Sequence, residues 1–271
     1  MTGERSAPVD SEGAGSVPRA GSGEGSGARP TGRLVGRLIG VGVGPGDPDL
    51  LTRKAVAVLG SVAHVVAPTL SDVAVGRAEA IVREALPAVT LHRMVFPMDR
   101  GTPGPVASSL RPVAEWLSQG EDVAFVTLGD PNCYSTFWSV VAALEDCGAR
   151  PTVETVPGIM AFQQLSAMMG RCLVDGAEPL SVVTALDGTA DLERALQDPE
   201  AAVVVYKAGR NMPAVAEQLR SAGRLEGSVA GELLGLPGER VGPAESLAAT
   251  PCTYLATVAV PPLSRSGQDR S

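Results

Sequence analysis

Two hydrophobic rhythms recur along this chain. Residues 37–43 read RLIGVGV, apolar at nearly every position, as in a strand buried on both faces of a parallel sheet. The run enters a glycine turn, Gly44-Pro45-Gly46, after which Leu51, Ala55, Val58 and Leu59 recur at helical spacing up to a stop at Gly60. Asp47 stands where a helix N-cap belongs, with Pro48 at the first helical position. The prediction is strand, tight turn, helix. Residues 62–67 form the next buried run, and their spacing predicts a parallel βαβ unit. A helix is predicted over 73–86, a strand over 89–96, a Gly/Pro loop over 99–105 and a helix over 106–119. Residues 122–128 (DVAFVTL) then run into Gly129-Asp130-Pro131 and a helix over 134–146, repeating the order strand, Gly, Asp, Pro, helix. After a strand over 151–156, a third turn, Val156-Pro157-Gly158, starts a helix over 159–169.

Beyond Gly170 the pattern loosens, as in a connection between domains. Strands are predicted over 180–185, 201–207, 229–234 and 253–260, with helices over 191–197 and 213–222. The fold class is α/β, with the turns delivered to the carboxyl edge of a parallel sheet, where ligands bind. Residues 1–32 are small and polar and are expected to be a disordered tail; 263–271 read as a polar tail.

Composition narrows the partners. The chain has 271 residues, and aromatics are only 3%, so the core must be built from Val, Leu, Ala and Ile. A net charge of −8 argues against a nucleic-acid binder. Cys133, Cys147, Cys172 and Cys252 form no C-x-x-C pair, and His64 and His92 are the only histidines. No metal site or disulfide framework is expected, and a reducing compartment is. With no apolar run near the ~20 residues of a membrane span and no apolar leader region, the expectation is a cytoplasmic protein without a membrane partner.

The glycine turns invite a phosphate-cradle reading, but the spacing Gly42, Gly44, Gly46 departs from G-x-G-x-x-G. Pro45 lacks an N–H, and Asp47 and Asp130 put negative charge where the anion would sit. The same features suit a cationic ligand without phosphate, such as S-adenosylmethionine. As N-caps, however, both aspartates are equally explained by the helices alone.

The segments GVGVGPGDPDLLTRKA (40–55), TLGDPNCYSTF (127–137), ETVPGIMAF (154–162), VVVYKAGR (203–210) and GELLGLPGERV (231–241) together resemble the tetrapyrrole (class III) S-adenosylmethionine-dependent methyltransferases of corrin and sirohaem synthesis. They stand in that family's order and spacing over roughly residues 36–262. Within it, GDPNCYST, VFPM (95–98) and YK (206–207) resemble the branch that methylates C-20 of precorrin-2. The resemblance implies a parallel-sheet N-terminal domain (33–158) and a mixed-sheet C-terminal domain (159–262), with the cofactor in the cleft between them, and a homodimer. It implies cofactor contacts from Pro45, Leu128, Gly129, Asp130, Cys133, Met160, Ala161, Lys207, Ala208, Leu233 and Thr253. Met160 departs from the family, which usually has Thr or Ser there.

Methyl transfer to carbon requires alignment above all. Tyr134 and Asp130 are the candidates for a base that removes a proton after transfer, against packing and capping roles for the same residues. The tetrapyrrole substrate carries several carboxylates, so Lys207, Arg210, Arg100 and Arg171 are candidate contacts. The residues leave open two other readings: a relative acting on another tetrapyrrole carbon, and a non-catalytic nucleotide-binding module.

Overall fold

The computed structural model describes residues 35–96 and 104–265. The expected tail at 1–32, the end of the polar tail and Arg100 lie outside the described residues.

Five strands form the first sheet: β1 (Arg37–Gly42), β2 (His64–Thr69), β3 (Leu91–Val95), β4 (Val123–Thr127) and β5 (Thr152–Val156). Their order is β3-β2-β4-β1-β5, and every pair is parallel. Side-chain alternation sorts the core into two layers. Ile39, Val41, Val65, Ala67, Ala124 and Val126 pack against α1 (Arg53–Leu59) and α2 (Arg77–Ala85) through Ala55, Leu59, Ile81 and Val82. Leu38, Val66, Val123 and Phe125 pack against α3 (Ala107–Ser118) and α4 (Phe137–Asp146) through Leu110, Val113, Phe137 and Leu144. Both faces are covered, hence strands that are apolar at nearly every residue. The helix after β1 leaves to one face and the helix after β4 to the other. The two strands are neighbours, so a crevice opens between their carboxyl ends.

The second sheet contains β6 (Leu180–Thr184), β7 (Ala202–Tyr206), β8 (Val229–Glu232), β9 (Arg240–Pro243) and β10 (Thr257–Val260), in the order β6-β7-β10-β8-β9. The β6/β7 pair is parallel and the other pairs antiparallel, so the sheet is mixed. The helices α6 (Ala190–Ala195), α7 (Met212–Ser221) and α8 (Ala244–Ala248) cover one face through Leu192, Val215, Leu219 and Leu247. The helix after β5, α5 (Ala161–Met169), covers the other face, where Leu165 packs with Ala202, Val204 and Ala259. The architecture is therefore two α/β halves, and the chain changes sheet at the Val156-Pro157-Gly158 turn. The halves touch main chain to main chain: Gly46 lies so close to Leu234 O that any Cβ at 46 would collide with it. No helix among the described residues is long and apolar enough to cross a membrane.

Local structure departs from the pattern in four places. Asp47 caps only a 3-10 turn, Pro48–Leu50, its carboxylate accepting the Asp49 N–H at 2.9 Å. Leu51 is extended, which breaks the helix, and α1 has its own cap in Thr52, whose Oγ1 accepts the Ala55 N–H at 3.1 Å. The helix expected from 134 begins at Phe137, because the intervening residues are a turn around Asp130. The final strand begins at Thr257 rather than 253, since the Thr253 N–H is drawn to the Glu232 carboxylate instead of a neighbouring strand. The pattern did not predict the short β9 and α8.

Each half buries one glutamate. Glu79 is fully buried and paired with Arg83 (2.8 Å) and Arg93 (2.9 Å), and it also accepts the Gly76 N–H. Glu232 pairs with Arg240 and accepts the Thr253 N–H. Burial pushes both carboxyls up, but the hydrogen bonds outweigh it and hold each below the ordinary carboxylate value.

Candidate active site

Three turns meet at the carboxyl edge of the first sheet. The Gly129 N–H donates to Gly44 O at 2.8 Å, joining the turn after β4 to the turn after β1. Asp130 joins it to the turn after β5: one carboxylate oxygen accepts the Asn132 N–H (2.8 Å) and the other the Gly158 N–H (3.1 Å). Asp130 is thus a brace between turns, which corrects its expected role as a helix cap. Gly129 O occupies the space that a Cβ at Gly42 or Gly158 would need, so side chains are excluded there by close packing of main chain.

These turns form one wall of a cleft with about 690 Å³ of empty space, its open mouth included. Pro45, Leu128, Gly129 and Asp130 line it from the turns, Cys133 and Tyr134 from the segment before α4, and Met160 and Ala161 from the start of α5. The second sheet supplies the facing wall: Tyr206 and Lys207 at the end of β7, Leu234 after β8, and Leu255 and Thr257 at the start of β10.

Most of the residues singled out from the sequence are therefore brought together. Ala208, Leu233 and Thr253 stand outside the lining; Ala208 is fully buried, its N–H bonded to Ala256 O at 3.0 Å. Arg210 is exposed on a short 3-10 turn, and Arg171 bonds to Gly227 O; neither lines the cleft. The pattern had not marked Tyr206, Leu234, Leu255 and Thr257 as site residues. For Tyr206 the available signal was its position, last in the buried strand AVVVY of a parallel pair. Leu255 and Thr257 carried no signal of their own.

Among the described residues, Tyr134 (φ 52°), Lys207 (φ 56°) and Leu233 (φ 53°) are the non-glycine residues with left-handed backbone. All three lie in or beside this cleft, where such strain is usually found. Tyr134 crosses between the halves, its Oη donating to Val182 O of β6 at 3.1 Å. Lys207 Nζ lies 5.9 Å from the Tyr134 ring centroid and 5.7 Å from that of Tyr254. The Tyr206 Oη accepts the Phe162 N–H in the first turn of α5 at 3.2 Å. Burial is the main cause that pushes the Tyr206 phenol up to about 12, so it stays protonated at neutral pH.

The chemistry of the walls does not fit a phosphate. The Gly129 and Gly158 N–H groups are committed to Gly44 O and Asp130, and Pro45 has none. It fits a ligand with an apolar body approached closely by main chain. A Cβ built on Gly129 would meet nothing nearer than Met160 Cα at 4.0 Å, so the space beside that backbone is open.

The family described as Tetrapyrrole (Corrin/Porphyrin) Methylases matches residues 37–248. The precorrin-2 C(20)-methyltransferase of Sinorhizobium sp is 35% identical over 201 residues, covering 70% of this chain and 80% of that protein. The cobalt-precorrin-2 C(20)-methyltransferase of Salmonella typhimurium is 31% identical over 204 residues, covering 73% and 83%. Among solved structures, the uroporphyrin-III C-methyl transferase of Thermus thermophilus complexed with S-adenosyl homocysteine shares the fold. Its TM-score is 0.59 at 23% identity, over 85% of this chain and 99% of that one.

Proposed function

This chain belongs to the tetrapyrrole (corrin/porphyrin) methylases, and from that membership we propose that it transfers a methyl group from S-adenosylmethionine to C-20 of precorrin-2, or of its cobalt form, in cobalamin biosynthesis. The observation that carries the C-20 assignment is the likeness to two relatives of that activity, each matched over 80% or more of its length. The cleft between the two halves supports it by its chemistry, since its walls disfavour phosphate and leave main chain open to a ligand.

When bound, S-adenosylmethionine supplies an electrophilic methyl group on a sulfonium. Pro45, Leu128, Gly129, Asp130, Cys133, Met160 and Ala161 would hold it from one side and Lys207 from the other. The chain's task is then orientation, because in-line displacement needs the reacting atoms ~3–3.5 Å apart, and such alignment supplies ~7–11 kcal/mol of the barrier. The braced turns fix one wall, and the Gly46–Leu234 contact and the Tyr134–Val182 hydrogen bond fix the other wall against it. Apolar lining from Leu128, Leu234 and Leu255 excludes water from a step in which charge on sulfur disappears.

Asp130 has both oxygens engaged by backbone N–H groups, which favours bracing over proton removal. Lys207, its ammonium flanked by two tyrosine rings, anchors a peripheral carboxylate of the substrate. The same reading includes a homodimer, which light scattering checks. Anaerobic incubation with S-adenosylmethionine and precorrin-2, with and without cobalt, tests the activity by mass spectrometry and carbon-13 labelling. One methyl at C-20 is expected; a methyl at another carbon, or none, overturns the assignment.

A further inference from the structure

Tyr206 has a hydroxyl whose proton is unaccounted for. A phenol offers one donor and two acceptor positions. Here the oxygen accepts the Phe162 N–H, yet no group among the described residues accepts the hydroxyl proton. The ring closes the buried strand β7 and faces the cleft, so the cleft is where an acceptor can be reached. Tyr206 is half-buried and lines the cleft, so an acceptor atom on a ligand bound there can take this proton.

The surroundings indicate what kind of atom that is. The next residue is Lys207, which lines the same wall and whose ammonium lies 5.9 Å from the ring of the lining residue Tyr134. Hydrogen bonding from Phe162 N–H to the phenol oxygen polarises the hydroxyl and strengthens it as a donor. The acidic residue of the lining, Asp130, already has both oxygens bonded to main chain. This side of the cleft therefore offers donors and positive charge to an anionic group, while on the opposite wall the Gly129 and Gly158 N–H groups are already committed and leave nothing for a phosphate. We propose that the Tyr206 hydroxyl donates a hydrogen bond to a carboxylate bound in the cleft, making Tyr206 a ligand-binding residue of the reaction. The phenol keeps its proton across the neutral range, so the donor is always armed. The proposal rests on the methyl-transfer reading, which offers two sources of that group: the amino-acid end of the cofactor and the periphery of the tetrapyrrole.

The test is Tyr206→Phe in the full chain. It keeps the ring and removes both the hydroxyl donor and the cap on Phe162. Calorimetry measures S-adenosylhomocysteine and 5′-methylthioadenosine, which lacks the amino-acid end, and steady-state kinetics are run with precorrin-2. If the cofactor supplies the carboxylate, S-adenosylhomocysteine binds about 10- to 100-fold more weakly while methylthioadenosine is unchanged. If the substrate supplies it, both nucleosides are unchanged and KM for precorrin-2 rises about 10-fold with kcat little altered. Equal weakening of both nucleosides, or no change in any of the three, reduces Tyr206 to a helix cap and overturns the proposal. Wild-type chain that binds neither nucleoside overturns the methyl-transfer reading, and the proposal with it. Should Tyr206→Phe not fold, Tyr206→Met fills the site without an oxygen and is read by the same contrast.

Discussion

On its first-sheet side the cleft is lined by Pro45, Leu128 and Gly129, held by one carboxylate and by main chain packed on main chain. On its second-sheet side it is lined by Tyr206, Lys207, Leu234, Leu255 and Thr257, presented from the ends of three strands. The first wall is a single interlocked object, in which Gly44 binds Gly129, Asp130 binds Gly158, and Gly129 O fills the space between Gly42 and Gly158. The second wall is a set of parts, carried by the ends of β7, β8 and β10. Substitutions should therefore propagate through the first wall and stay local in the second.

Gly158→Ala attacks the interlock directly, since its Cβ would collide with Gly129 O. A stability loss of about 3 kcal/mol in denaturant titration, with loss of S-adenosylhomocysteine binding, is expected; a variant with normal affinity would mean the turns are loose. Asp130→Ala strands two N–H donors and should cost about 2 kcal/mol and weaken cofactor binding at least about 10-fold. Asp130→Asn retains an acceptor and should lose less of both. Normal stability and affinity with abolished turnover in that variant would make Asp130 the proton acceptor after all.

Lys207→Gly tests the separable wall. Relief of the left-handed backbone should raise stability by about 1 kcal/mol, while KM for the tetrapyrrole rises. Tyr134→Phe removes only the bond to Val182 O and should cost less than ~1 kcal/mol in the same titration, with near-normal turnover. Acid should treat the halves alike. Glu79 and Glu232 are held below the ordinary carboxylate value, so the stability they contribute is full above about pH 4.5 and is lost as pH falls through their lower folded values. Urea midpoints measured at neutral and acidic pH check this, with Glu79→Gln and Glu232→Gln each flattening the slope.

The two walls also differed in how far they could be read in advance. Turn chemistry is local, so Gly44-Pro45-Gly46, Gly129-Asp130 and Pro157-Gly158 announced the first wall. The alternation of apolar runs with helical spacing announced the parallel sheet behind it. What Asp130 does was not legible: a carboxylate before proline reads as a cap, and only the approach of Gly158 N–H in three dimensions turns it into a brace. In the second half, β9 and α8 span four and five residues, too short for a period to emerge. Leu255 and Thr257 line the cleft just after Thr253, whose N–H bonds Glu232, a contact between residues 21 apart.

The crowding around Gly129 O has a consequence for descent. With no room for even a methyl group at positions 42 and 158, a substitution there would disrupt the turns before it could reshape what the cleft accepts. A lineage that drifts toward a different ring carbon or a differently decorated macrocycle would find more room to change at the strand ends of the second sheet. New substrates would thus be acquired on one side of the cleft, while the other is passed on as a block.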